Sequence, residues 1–314
     1  MPESLGYIPE REIPFQNPFF TILARGPFTP DAVIVNRSAA KVPSPDVSAR
    51  IWTEWDANRL ESRNVRRTLA IRSHPAVSNG TLTLDVEPRA FTEFDGISNP
   101  NGNYDRRYAN PIGTSIVIAT LDGKLLLSRR PEDDPIRPGG VMHVIGGFPE
   151  IHQDELKPDV TLDVDTNGRW LPFSTIQREV FEETGIQPDK LTDLALLGVS
   201  YNPLTHQPIL AFSGQTTLTS SEINSQPSER IPKRYIDFSE QSITDLLLKF
   251  PFSPSPTAQA NLFLFGGESF GDSWLRKIDD ELCLSAITHK NLSPEERHRH
   301  REKGIEHFLA NSSS

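Results

Sequence analysis

One stretch of this chain leaves few folds open: Arg178-Glu179-Val180-Phe181-Glu182-Glu183-Thr184-Gly185-Ile186. If Ser174 or Thr175 begins a helix, Glu179, Glu182 and Glu183 fall at i, i+3 and i+4, so three carboxylates share one helical face. Ile176 and Val180, four apart, with Phe181 one step further round, give the other face something to bury. Gly185 then supplies the left-handed residue that stops a helix. Three neighbouring carboxylates repel one another, and neither helix propensity nor packing asks for them. A hard divalent cation does, because Mg²⁺ takes oxygen ligands and completes its shell with water and substrate phosphate.

Upstream, Val144-Ile145-Gly146-Gly147-Phe148-Pro149-Glu150 reads as a strand end running into a glycine loop. Before it lies the clearest hairpin in the sequence. Ile112 to Thr120 is apolar and β-branched, Asp122-Gly123 is a two-residue turn signal, and Lys124 to Arg130 returns through three leucines. Strand patterns also fall at Phe19 to Leu23, Ala32 to Val35, Arg67 to Ser73, Thr81 to Val86, Val141 to Ile145, Leu191 to Ser200, Pro208 to Leu218 and Arg234 to Phe238, with Ser78-Asn79-Gly80 as a turn. Helices are expected at Ser48 to Asn64, from a Ser239 cap to about Phe250, and from near Pro256 past Leu264. The tail from Asp272 carries two more helical patterns, the second opened by the capping box Ser293-Pro294-Glu295-Glu296.

Of the 314 residues, 36% are hydrophobic and 8% aromatic, enough for a proper core in one large domain or two modest ones. Net charge −10 opposes a nucleic-acid backbone as partner yet leaves room for a small phosphorylated molecule met by a bound cation or a local basic patch. Cys283 is the only cysteine, which excludes an internal disulfide and suits a reducing compartment, cytoplasm or nucleus. Neither membrane insertion nor secretion is expected, since no long apolar run or leader pattern stands in the sequence.

The glutamate helix resembles the signature of the Nudix hydrolase family, G-x5-E-x7-R-E-U-x-E-E-x-G-U with U aliphatic, at all of its last nine positions. The front half departs from it. The family's glycine precedes the arginine by 14 positions, whereas here the separation is 178 − 147 = 31, so seventeen extra residues sit inside the motif. They include Pro158, Asp159, Asp163, Asp165, Asn167 and Gly168 and read as an inserted surface loop, about 154–172. Gln153 stands where the family has its first glutamate. The resemblance implies a Nudix α/β/α sandwich with a mixed sheet over 109–270, preceded by an α+β extension, 1–108, and followed by a helical tail, 271–314.

It also implies roles. Glu182 and Glu183 would hold Mg²⁺ or Mn²⁺, with Glu179 as a further ligand or the base that orients water and the Gly146 carbonyl completing the cage. Arg178 would fix the helix against the Gly-Gly loop. A downstream carboxylate often joins, and Glu229 is chosen over Glu222. Arg129 and Arg130, closing a strand by the expected cleft, are either phosphate contacts or strand-end charges. Tyr108, Tyr201 and Phe212 either stack on a base or belong to the core. His298, His300 and His307 read as surface residues.

Within the family the chain resembles the uridine-diphosphate-sugar pyrophosphatase subgroup, from roughly residue 48 to 266. The likeness lies in Leu82-Thr83-Leu84, Phe91-Thr92-Glu93-Phe94-Asp95-Gly96, Asn110-Pro111-Ile112-Gly113, the Gly-Gly-Phe-Pro-Glu run and Ser255-Pro256-Thr257-Ala258. The implied reaction is Mg²⁺-dependent hydrolysis of UDP-glucose or UDP-galactose to UMP and a hexose 1-phosphate. ADP-ribose or dinucleotide hydrolysis, and non-catalytic nucleotide binding, are the alternatives.

Overall fold

Strands buried along nearly their whole length, such as Gly113–Ala119, build a mixed sheet covered on both faces. The computed structural model describes residues 15–39, 67–90, 110–129, 142–150, 163–165, 169–202, 207–228, 232–251 and 253–289, with 293, 296, 299–300 and 303 beyond. The expected helix at Ser48 to Asn64, together with Tyr108, Arg130, Gln153, Glu229, His298 and His307, lies outside the described residues.

Twelve strands are numbered in chain order: β1 (Phe15–Gln16), β2 (Thr21–Phe28), β3 (Val33–Arg37), β4 (Arg67–Ile71), β5 (Ala76–Ser78), β6 (Thr81–Ala90), β7 (Gly113–Ala119), β8 (Lys124–Arg129), β9 (Met142–His143), β10 (Leu191–Asn202), β11 (Gln207–Thr216) and β12 (Lys233–Asp237). The helices are α1 (Pro172–Thr184), α2 (Ser220–Asn224), α3 (Glu240–Leu248), α4 (Pro256–Phe270) and α5 (Asp272–His289). The central sheet runs β1-β2-β10-β11-β7-β8-β12, with β9 beside β8. Its β11–β7 pair is parallel and its other ladders are antiparallel. A smaller sheet orders β3-β6-β4, with β5 also on β6.

On β7, Ile116 and Ile118 point to one side and Val117 and Ala119 to the other, as the two-residue strand period requires. The first pair joins Leu126, Leu210 and Phe212 in a core closed by Ile176 and Val180 of α1 and by Leu69, Leu82, Leu84 and Val86 of the small sheet. The second pair, with Leu125 and Leu127, packs on Ala258, Leu262 and Phe265 of α4 and on α3 and α5. The result is an α/β fold on a mixed sheet, as expected, with α1 and the small sheet on one face and three helices on the other.

Chain from both flanks completes this core. Strand β2, from the expected extension, pairs antiparallel with β10 inside the central sheet. Helix α5, from the expected tail, buries Trp274, Leu275, Ile278 and Leu282. It packs so closely on α4 that a Cβ on Gly266 would stand 2.3 Å from the Trp274 ring. The capping box at Ser293 forms, with Glu296 N–H donating to Ser293 Oγ at 3.2 Å and Ser293 N–H to Glu296 Oε2 at 2.7 Å. Among the described residues no helix is long and apolar enough to cross a membrane.

Helix α1 starts earlier than the sequence suggests. Pro172 takes the first helical position, where its fixed φ fits and its missing N–H is not needed. Ser220–Asn224 folds into α2 because Thr219 and Glu222 cap each other's backbone donors.

Candidate active site

Helix α1 and the glycine loop meet at the start of β7. Thr114 N–H donates to the Gly147 carbonyl at 2.8 Å and Ile116 N–H to that of Ile145 at 2.8 Å, which lays the loop against the strand. A Cβ on Gly146 would fall 2.1 Å from the Thr114 oxygen, and one on Gly147 2.4 Å from the Glu179 carboxylate. Gly146 is therefore required by close approach to backbone, whereas a side chain at Gly147 would have to displace the Glu179 carboxylate. Gly185 ends the helix in the left-handed region at φ 79°, its N–H returning to the Phe181 carbonyl at 2.8 Å.

The expected carboxylates line this loop, each in a different setting. Glu179 is buried at 9% exposure against Gly147. Burial pushes its carboxyl up to about 7; Arg178 draws the pKa back down and the Glu182 and Asp163 charges raise it further. Glu183 accepts from Gly146 N–H at 3.3 Å. Glu182 is exposed and accepts from Arg178 Nη1 at 2.9 Å.

Arg178 is the hub. Its guanidinium reaches Asp163 at 2.9 Å, Glu179 at 3.0 Å, Glu182 at 2.9 Å and the Phe148 carbonyl at 2.9 Å. Burial opposes its charge, but the Asp163 hydrogen bond and the surrounding carboxylates outweigh that and raise its pKa. Through Nη2 and the Phe148 carbonyl the arginine links helix α1 to the loop at 148.

Of the stretch 154–172 expected as a surface loop, 154–162 and 166–168 lie outside the described residues, and Asp163 is not at the surface. It is 1% exposed, and its Oδ2 also accepts from Glu150 N–H at 3.0 Å. The reason is a short turn-back: Leu171 N–H bonds to the Asp163 carbonyl at 2.8 Å and Asp165 N–H to that of Arg169 at 2.8 Å. Trp170, also 1% exposed, donates from its indole to Thr175 Oγ1 at 2.8 Å in the first turn of α1. A lone aspartate in a polar, turn-rich run carried no mark of this; Trp170 just before the helix was the available signal.

Other expectations sort by burial. Phe212 is fully buried and meets Phe173 edge-on at 5.1 Å, so it is core and no base can stack on it. Tyr201 lies on β10 against the same core. Glu222 spends its carboxylate on the Thr219 cap. Arg129 closes β8 opposite Met142, four residues before Gly146. His300 is exposed. The Ser-Pro-Thr-Ala helix start proves to be linked to the loop strand: Ser255 caps α4, donates its N–H to the Met142 carbonyl at 2.8 Å and sets its hydroxyl 3.1 Å from His143 Nδ1.

Among the described residues no three acidic, histidine or cysteine side chains gather round one point as a ready metal cage. The bonds above say why: Glu179 and Glu182 turn to Arg178, and Glu183 to a backbone N–H. The donor chemistry nevertheless fits a hard divalent cation. It consists of carboxylate and carbonyl oxygens, and Asp163, Glu179, Glu182 and Glu183 stand against the single guanidinium of Arg178.

No family model matches the chain. A curated relative, uridine diphosphate glucose pyrophosphatase NUDT22 of Bos taurus, is 28% identical over 174 residues, 52% of this chain and 59% of the relative. The chain thus spans about three fifths of that relative's length. Two solved structures are similar over part of the fold. DR0079 from Deinococcus radiodurans shows 11% identity and a TM-score of 0.31 over 49% of this chain and 80% of its own. A NUDIX hydrolase from Nitrosomonas europaea shows 17% and 0.32 over 51% and 90%.

Proposed function

We infer from one premise, that this chain belongs to the Nudix hydrolase superfamily by its Arg178–Ile186 helix and its glycine loop, that it is an enzyme hydrolysing the pyrophosphate bond of a nucleoside diphosphate derivative. The substrates we propose are UDP-glucose and UDP-galactose, giving UMP and a hexose 1-phosphate. The observation that carries the reading is Glu179, buried against Gly147 beside Glu183 on the Gly146 N–H. A relative whose printed name is uridine diphosphate glucose pyrophosphatase supports the substrate.

Water attacks one phosphorus of the pyrophosphate, the bridging P–O bond breaks, and the leaving phosphate takes the electron pair. A divalent cation, Mg²⁺ or Mn²⁺, would be held by Glu182, Glu183 and the Gly146 carbonyl, with Glu179 as a further ligand or as the base, and when bound would supply charge neutralisation and a more acidic water. The chain's own groups supply the rest. Where Glu179 is not itself a ligand, its buried carboxylate would orient the attacking water and take its proton. Arg178 holds the helix to the loop. Arg129, Arg130 and Tyr108 are proposed to bind substrate, and Glu229 to join the cation ligands.

The test is a panel of UDP-glucose, UDP-galactose, ADP-ribose and a dinucleoside polyphosphate, each with Mg²⁺ and with Mn²⁺, products separated by chromatography. UMP and hexose 1-phosphate are expected. Cleavage of ADP-ribose or the dinucleotide without UMP release would overturn the substrate, and no cleavage of any of them would overturn the activity.

A further inference from the structure

We propose that Asp163, carried by the segment inserted in the motif, is a positioning residue that supplies the carboxylate the front half of the signature lacks at Gln153. The inference rests on the hydrolase reading and concerns how that site is held.

Both oxygens of Asp163 are engaged. Oδ1 accepts from Arg178 Nε at 3.2 Å; Oδ2 accepts from Arg178 Nη2 at 2.9 Å and from Glu150 N–H at 3.0 Å. The fork-to-fork pairing fixes the plane of the guanidinium. From that plane Nη2 also reaches the Phe148 carbonyl and Nη1 reaches Glu182. One buried carboxylate therefore joins three pieces: the loop at 148–150, helix α1 and its own turn-back segment. That segment is tied to the helix start twice, by Leu171 N–H on the Asp163 carbonyl and by the Trp170 indole on Thr175. The described residues 163–165 and 169–171 thus bring Asp163 back against helix α1.

The role is electrostatic as well as geometric. Arg178 faces Glu179 and Glu182 at 3.0 Å and 2.9 Å, where it competes with any cation for their oxygens. Asp163, at 2% side-chain exposure, holds the Nε–Nη2 edge of the guanidinium, sharing Nη2 with Glu179 while Glu182 takes Nη1. Without it the arginine turns wholly to Glu179 and Glu182, and those carboxylates become poorer ligands.

Isothermal titration of the full chain with Mn²⁺ tests this, alongside kcat and KM for UDP-glucose. Asp163→Asn is expected to raise the Mn²⁺ dissociation constant about tenfold or more, in the range seen when groups supporting a metal ligand are removed. KM at saturating Mn²⁺ should move less than about twofold, because Asp163 does not touch substrate. Asp163→Glu keeps the charge and is expected near threefold, and it carries the test where the asparagine variant does not fold. Ile278→Ala, buried in α5 across the sheet, is the control for general destabilisation and should leave Mn²⁺ affinity unchanged. Either Asp163 variant binding Mn²⁺ as the wild type does, or the control weakening binding equally, overturns the inference while leaving the hydrolase reading intact. A wild type that binds no Mn²⁺ and cleaves nothing overturns both.

Discussion

The carboxylate of Glu179 and the α-carbon of Gly147 are packed so tightly that a methyl group cannot stand between them: an added Cβ would lie 2.4 Å from the carboxylate carbon and from both oxygens. In Gly147→Ala either the loop lifts away from helix α1 or Glu179 is driven off its position. Overpacking of this kind costs about 1–3 kcal/mol. The displaced atoms belong to a group proposed to act on water, so the rate should suffer more than the fold. We expect kcat/KM to fall by at least about a hundredfold while the melting temperature drops by only a few degrees; kinetics and calorimetry on one preparation compare the two.

Burial that raises the Glu179 carboxyl from 4.5 to about 7 makes stability depend on pH in a definite direction. The folded protein holds this proton more tightly than the unfolded chain, so the contribution is fully present below about 4.5. It is lost as pH rises towards 7 and beyond. Protein stripped with chelator should therefore melt lower at pH 8 than a Glu179→Gln variant, and the gap should close towards pH 5. A divalent cation favours the ionised carboxylate, so its addition should stabilise the wild type more than the variant at pH 8. Melting curves at three pH values, with and without Mg²⁺, decide it.

What could be read in the sequence was local. The Asp122-Gly123 hairpin, the Ser239 cap, the helix start near Pro256, the Ser293 box and the helix ended by Gly185 each depend on residues within a few positions of one another, and all formed. Residues whose role depends on a distant partner were not legible. Phe212 offered the same aromatic ring whether it faced a base or Phe173, and only the pairing of β11 with β7 decided between them. Asp163 meets Arg178 fifteen residues away and was indistinguishable from Asp159 or Asp165 in a polar run. The tail from Asp272 joined the core because Gly266 and Gly267 leave room for Trp274 and Leu275, a complementarity between two helices that no single periodicity displays.

That complementarity makes the helix after Gly271 indispensable. Trp274 is 4% exposed, meets Phe270 edge-on at 5.6 Å and donates its indole N–H to Thr244 Oγ1 at 3.0 Å. Trp274→Ala should cost about 3–5 kcal/mol. Trp274→Phe refills most of the space but leaves the hydroxyl unpaired, and should cost roughly 1–2 kcal/mol. Neither touches the glycine loop, so the fraction that remains folded should turn over substrate at the wild-type rate. Urea denaturation followed by active-site titration would show it.

Glu182 separates chemistry from stability most cleanly. Its side chain is 42% exposed, and its ion pair with Arg178 is an i,i+4 pair at 2.9 Å. A pair with one partner so open is worth about 0.5 kcal/mol or less. Glu182→Gln preserves shape and a hydrogen-bond acceptor, so its melting temperature should stay within about two degrees of the wild type. Its neutral amide is a poor ligand for a hard cation, and turnover should fall by a factor of at least about a thousand, roughly 4 kcal/mol of lost transition-state stabilisation. Raising Mg²⁺ tenfold should recover only part of that loss. Activity near the wild-type level in this variant would place the metal ligands elsewhere and sink the assignment of Glu182, whereas a large loss of stability with it would mean that the Arg178 pair had been undervalued.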